Sequence, residues 1–182
     1  ALSLTAGGAV TQTGALTVGT TTSLTAGAND ITLSNAGNNF TGAVTVVSGN
    51  NVSLTDLNAI DLGASSVSGA LSVSAAGAGI TSITQSGALS VGTTTSLTPG
   101  AGNSVLLDNA ANDFTGAVGV ANGLNLTLRD ANALVLGAVS ITGALSLTAG
   151  GAITQTGALA VGTTTSRTAG ANDITLTNAG NN

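Results

Sequence analysis

Cysteine, histidine, lysine, glutamate, tyrosine, tryptophan and methionine are all missing from this chain of 182 residues. Without Cys there is no disulfide scaffold, and without Cys and His the usual zinc ligand sets cannot be assembled. Acid–base chemistry is left to seven Asp, and no basic side chain stands by to turn a Ser or Thr hydroxyl into a nucleophile. Only Arg129 and Arg167 oppose the acids, and a net charge of −5 does not make the basic patch that nucleic acid requires. Two Phe cannot supply the aromatic girdles of a membrane β-barrel. No apolar run reaches the roughly 18 residues of a membrane-spanning helix. No charged-then-apolar leader opens the chain, so no signal peptide is expected within it.

What is present is glycine, 27 of 182 residues, about twice the usual share of roughly 7%. The apolar fraction, 42%, is far too high for a disordered segment, yet Ala, Val, Leu and Ile supply nearly all of it. A core made from these side chains must be thin and layered.

The chain repeats itself. Ala1–Asn39 and Ala144–Asn182 differ only at Val10/Ile153, Thr17/Ala160, Leu24/Arg167 and Ser34/Thr177. A diverged copy starts at Ala70, with extra residues in GAGITSITQSG (77–87) against GGAVTQTG (7–14) and near Gly102. The organisation is therefore one continuous unit over 1–182 with long repeats 1–69, 70–143 and a truncated 144–182, a window cut from a longer array. A finer word, Gly-Ala-[Leu/Val]-x-[Val/Leu/Ile], starts at Gly14, Gly42, Gly69, Gly87, Gly116, Gly143 and Gly157, among others. Val10 to Ile31, Ile31 to Val52 and Val105 to Leu126 are equal steps along the chain, each the length of one solenoid turn.

Stretches such as ALSLTAG, GALTVG, DITLSN and NVSLTD alternate apolar and small polar residues, the period of a strand, and Gly, Asn, Asp and Ser punctuate them. No helical stripe appears. These features predict an all-β solenoid, a parallel β-helix of about 20–24 residues per turn and roughly eight turns, with three turns to each long repeat. Val18, Ile31, Leu33, Val52 and Leu54 are expected as core rungs. Asn29, Asn50, Asn103 and Asn172 recur at corners, where they either stack amide on amide or simply tolerate left-handed backbone. The slot that reads Leu24, Leu97 and Arg167 is expected to face outward or lie at a corner, because an arginine in a thin aliphatic core costs several kcal/mol unless paired.

Chemistry-bearing candidates are few. Asp56/Asp61 and Asp108/Asp113 are the only carboxylate pairs close in sequence, and a spacing of five places them on no common face. No enzyme activity and no cofactor are expected. Calcium is the one ion worth weighing, at Asp108, Asp113, Asp30 and Asp173, but the Gly-Gly-x-Gly-x-Asp repeat of calcium-loaded β-rolls is absent and solvated turn acids explain these residues as well. The triplets Thr20–Thr22, Thr93–Thr95 and Thr163–Thr165 raise ice binding, yet they return only once per long repeat, and Thr is a good strand residue in any case. Asn39, Asn51 and Asn125 begin Asn-x-Ser/Thr sequons. Phe40 and Phe114 hold the same place in NNFTG and NDFTG and are expected to fill a wide corner of the core.

The words ALSLTAGGAVTQTGALTVG, NDITLSNAGNNFTGAVTV and NNVSLTDLNAIDLGASSVSG resemble the repeat region of the large filamentous haemagglutinin-like proteins of Gram-negative bacteria. That resemblance implies a right-handed parallel β-helix. It also implies the shaft of a secreted, extracellular cell-surface filament, exported through an outer-membrane transporter by two-partner secretion and serving adhesion or biofilm formation. The implied partners are other copies of the filament, laterally or end to end, and a host or neighbouring cell surface reached through parts outside this chain. A calcium- or glycan-binding module and a self-assembling fibre subunit are the alternative readings.

Overall fold

Alternation at period two, interrupted every few residues by small turn-formers, yields short strands that cannot stand alone and must pair. The computed structural model describes residues 1–77 and 81–182, and every described element in it is a strand or a turn. Among the described residues, nine strands form one sheet, running from Leu2–Thr5 to Thr165–Thr168. A second sheet runs from Val10–Thr11 to Ile153–Gln155. All pairings are parallel and in each case join one turn to the next, as in Leu2 with Thr22 or Ile31 with Val52. The chain is an all-β solenoid of about eight turns with two long walls. Of the extra residues expected within 77–87, positions 78–80 lie outside the described residues.

A short third flank closes some turns. Thr17–Val18 pairs with Asn39–Phe40 on one side of the solenoid. Ser65–Val67, Leu89–Val91 and Asp113–Phe114 pair with one another in a separate sheet. Turns with a flank strand are longer, as from Leu71 to its register partner Thr95, and turns without one are shorter, as from Val44 to Leu62.

The long repeat is three and a half turns, not three. Leu2 lies in the first wall, its counterpart Leu71 lies in the second, and Leu145 is back in the first, seven strands along. Thr22–Thr25, Thr95–Thr98 and Thr165–Thr168 alternate between walls in the same way. One long repeat therefore leaves half a turn over, and two of them, Ala1 through Gly143, make seven whole turns.

Inward residues form apolar rows. Ile31, Val52 and Leu71 stack in register, as do Leu33, Leu54 and Val73, and all six are buried. Each such side chain contributes roughly 1.5–3 kcal/mol by leaving water. Phe40 stacks on Val18 and Phe114 on Val91, with both rings buried at the flank. Glycine in the Gly-Ala word admits the neighbouring turn. A Cβ on Gly42 would sit 2.7 Å from the Thr20 carbonyl carbon, and one on Gly116 would collide with the Thr93 carbonyl.

The expected outward slot is corrected. Leu24 and Leu97 are both 0% exposed. Leu24 is sandwiched between Leu4 and Val46, and Leu97 between Val73 and Val120. Arg167 occupies the same inward row above Leu147, but no described strand covers its other side, so it is exposed. The slot therefore faces inward in all three copies.

Candidate functional site

A thin aliphatic interior makes every buried polar group conspicuous, so the polar interior is the natural place to look for chemistry. Its most regular feature is an amide clasp built three times. Gln12 Nε2 donates to Asn38 Oδ1 at 2.7 Å, while Asn38 Nδ2 donates to Gln12 Oε1 at 2.9 Å. The same Asn38 carbonyl accepts from the Leu16 N–H, its amide nitrogen also donates to the Leu33 carbonyl, and Gln12 donates to the Gly14 carbonyl. Gln85 and Asn112 repeat this pattern, and so do Gln155 and Asn181. The clasp binds one turn to the next at the corner where TQTG or TQSG meets NAGNN or NAAND. Asn38 and Asn112 are wholly buried, which fits amides whose donors and acceptors are all used.

Two buried carboxylates form a second pair of equivalents. Asp56 Oδ2 accepts the Phe40 N–H at 2.7 Å and Oδ1 accepts the Asn58 N–H at 2.7 Å. Asp130 does the same with Phe114 and Asn132. Each ends an inward row, after Val52 and Leu54 in one case and after Leu126 and Leu128 in the other. Burial raises both pKa values above the ordinary carboxylate value and outweighs the N–H bonds that pull the other way; for Asp130 the neighbouring Asp113 charge adds to the rise. These two aspartates hold the phenylalanine corner to the following turn.

A third set runs along a corner. Exposed Asp30 accepts from Asn51 N–H, Asn51 Nδ2 and Asn50 Nδ2 through Oδ1, and the Asn51 backbone N–H leads in holding its pKa low. Asn51 Oδ1 then accepts the Ala70 N–H. One long repeat later Ser104 replaces the acid, accepting from Asn125, whose Oδ1 takes the Ala144 N–H. The sequons at Asn51 and Asn125 thus have their amide nitrogens engaged between turns, while Asn39 is half-buried beside buried Phe40.

The other expected residues are dispersed. Asn29 and Asn172 each donate within their own corner, to the Ala26 and Ala169 carbonyls, and across to the preceding turn, to the Gly7 and Gly150 carbonyls, and Asn103 donates to the Pro99 carbonyl. Asn50 turns to Asp30 instead of to a neighbouring amide. Reciprocal amide-to-amide pairing is seen in the Gln–Asn clasp. Asp56 points inward from one wall while Asp61 sits half-buried in a strand of the other, so that pair is not assembled. Asp30, Asp108 and Asp173 are exposed and Asp113 is half-buried, and among the described residues no three acids gather to hold a metal ion. In the threonine triplets, Thr20 and Thr21 are exposed but Thr22 turns into the core, as Thr95 does. Their Oγ1 atoms are buried without a hydrogen-bond partner.

The clasp cannot be found from strand periodicity, which marks Gln12 and Asn38 only as polar loop residues, whereas period two places Asp56 and Asp130 on the inward phase of Val52/Leu54 and Leu126/Leu128. The available signal is repetition at fixed offset: Gln12, Gln85 and Gln155 each precede an Asn by 26 or 27 positions. Concave surface lies at the two ends of the stack, one end lined by Leu2, Leu4, Gln12 and Leu16, the other by Leu145, Leu159, Thr165, Arg167 and Leu176. No helix among the described residues is long and apolar enough to cross a membrane.

The clasps and the buried aspartates thus serve alike to join turns, as befits a chain whose unit is the repeat. Searches of curated proteins and of solved structures find no match to the chain. A family model, that of repeats of unknown function (DUF5649), matches residues 1–47, 49–121 and 123–182, and the chain belongs to that family.

Proposed function

We propose that this chain is a non-catalytic shaft segment of a secreted bacterial surface filament, a stack of turns that carries an adhesive or biofilm-forming part away from the cell. The observation that supports it is the inward ladder: largely apolar rows stack turn on turn, as Ile31, Val52 and Leu71 do, and among the described residues every paired strand joins one turn to the next. Such a body lengthens by about 4.8 Å with every added turn and needs no other change. Corner hydrogen bonds such as the Gln–Asn clasp fix the register of each new turn. The resemblance of the repeat words to filamentous haemagglutinin-like shafts supports export by two-partner secretion through an outer-membrane transporter. The chain itself uses no cofactor in this role, and contact with a host or neighbouring cell falls to other parts of the filament.

The test is to raise antibodies against the exposed Thr20-Thr21 and Gly7-Gly8 corners and apply them to producing cells. Intact cells should be labelled, and duplicating the block 1–143 should carry a distal epitope outward by seven turns, about 34 Å. Labelling only after permeabilisation would overturn the proposal.

A further inference from the structure

The outward faces of the two walls differ. On the second wall the register sets Thr11, Thr32, Ser53, Ser72 and Ser96 one above another, a hydroxyl row without charge. The first wall interrupts its hydroxyls: Asp61 lies beside Thr84, Leu106 beside Thr127, and Arg129 beside Thr148. Leu106 is 38% exposed, Arg129 is exposed and Asp61 is half-buried. At the matching places of the other copy stand Thr32 for Leu106, Thr55 for Arg129 and Val135 for Asp61. The half turn left over by each long repeat brings these three differences to one wall. Ile60–Leu62 of the first copy and Ser104–Leu107 and Leu126–Asp130 of the second are strands of the same sheet.

Along the axis, Asp61 is two turns below Leu106, and Arg129 is one turn above it. Asp61 and Leu106 share a row, since Ile60, Ile83 and Val105 are in register, whereas Arg129 lies two residues beyond Thr127 on its strand. This spacing fits a second copy of the same wall laid face to face and antiparallel, the two-fold axis passing between Thr81–Gln85 and Ser104–Leu107. The two Leu106 side chains then meet across the axis, one turn or about 4.8 Å apart along it. Asp61 of each copy falls opposite Thr127 of the other, about 7 Å along the strand from Arg129, a gap that an arginine side chain spans. The charge contact forms twice by symmetry. With the copies parallel, Asp61 and Arg129 stay three turns apart and never meet.

We propose that the first wall is a self-pairing surface. Its occupant is a second copy of this chain, laid antiparallel with Leu106 at the centre and Asp61 and Arg129 paired crosswise. Little of the face is apolar, so the contact is weak and leans on its charges. Shafts rising side by side from one surface point the same way and cannot pair like this, whereas shafts from two facing surfaces can. That consequence rests on the shaft role proposed above; the pairing itself does not.

Sedimentation equilibrium of the whole chain at rising concentration tests the pairing, with circular dichroism to check that each variant keeps its β signal. The unaltered chain should form a reversible dimer that high salt weakens. Leu106→Asp should weaken it by about tenfold or more, and Leu106→Thr, which copies the Thr32 slot, should weaken it less. Asp61→Arg and Arg129→Asp should each weaken it as Leu106→Asp does, and the double variant should restore it. Asp108→Asn, at the corner beside Arg129 in the preceding turn, removes an acid outside the contact and should change it by less than about twofold. Orientation is read from cysteines placed singly in one outward row of a chain that has none. Thr84→Cys should cross-link between copies, and Ser146→Cys, about 24 Å along the axis from its twin, should not. The proposal is overturned if the unaltered chain stays monomeric at millimolar concentration, or if the charge-swapped double variant pairs no better than the single ones. It is equally overturned if Ser146→Cys cross-links as readily as Thr84→Cys.

Discussion

Thr22–Thr25 and Thr95–Thr98 are the same four residues, Thr-Ser-Leu-Thr, and they stand on opposite walls of the solenoid. Residues 1–69 and 70–143 differ in this way throughout: Asp56 is in the second wall and Asp130 in the first, Ile31 in the second and Val105 in the first. Even the flank strand changes sides, following the second wall at Thr17–Val18 and the first wall at Leu89–Val91. Local environments nevertheless match, down to the pairs of N–H groups on each buried aspartate. The two walls are therefore physically interchangeable, and a repeat word specifies a row facing inward without specifying which wall it joins.

That equivalence can be broken most forcefully at the leucine slot. Leu97→Arg puts the third repeat's residue into a covered position and should cost about 4 kcal/mol in denaturant unfolding, the scale of an unpaired buried charge. Leu24→Arg should cost the same to within about 0.5 kcal/mol if the walls are alike, and a clear difference between them would show that they are not.

A smaller effect is expected at the aspartates. Asp56→Ala strands the Phe40 and Asn58 N–H groups and should cost about 2–3 kcal/mol, with Asp130→Ala close behind. Their pH dependence has a definite sign. A carboxyl whose folded pKa lies above its unfolded value binds protons first in the folded state, so stability should rise as pH falls through the folded pKa and level off below about 3.8. Asp56→Asn and Asp130→Asn should each remove their share of that rise in pH-dependent melts. Asp113→Asn should shrink the Asp130 share alone, since its charge acts on Asp130. Asp30, whose pKa is lowered, works in the opposite sense and only below about 3.8.

The smallest change is a gain. Thr22→Val and Thr95→Val each remove a buried hydroxyl that has no partner, and each should raise stability by about 1 kcal/mol, read from thermal unfolding. Thr165→Val, at the exposed counterpart, should change stability by less than about 0.5 kcal/mol.

Much of the architecture is legible in the sequence because strand period and repeat length are local and countable. Ile31, Leu33, Val52 and Leu54 alternate with polar residues, and the equal steps between their words match the observed register of Ile31 with Val52 and of Leu33 with Leu54. The Leu24 slot misleads because an arginine in one copy looks like a report on the face of a strand. In the structure Arg167 shares the inward row of Leu147, as Leu24 shares that of Leu4, so the substitution does not mark the face of the strand. The Gln12–Asn38 clasp escapes because its partners are 26 residues apart and look like ordinary turn residues until one turn lies against the next.

By itself, then, the chain's alternation of apolar and hydroxyl residues, its glycines and its repeat length determined an all-β stack of short turns around an aliphatic interior. Those are properties of strands and turns, carried by neighbours in sequence. Only the tertiary structure decided that each long repeat ends half a turn out of phase, that Asp56 and Asp130 reach the Phe40 and Phe114 N–H groups, and that the slot of Leu24, Leu97 and Arg167 faces inward. Each of these depends on what lies one turn away, remote along the chain but about 4.8 Å distant in space.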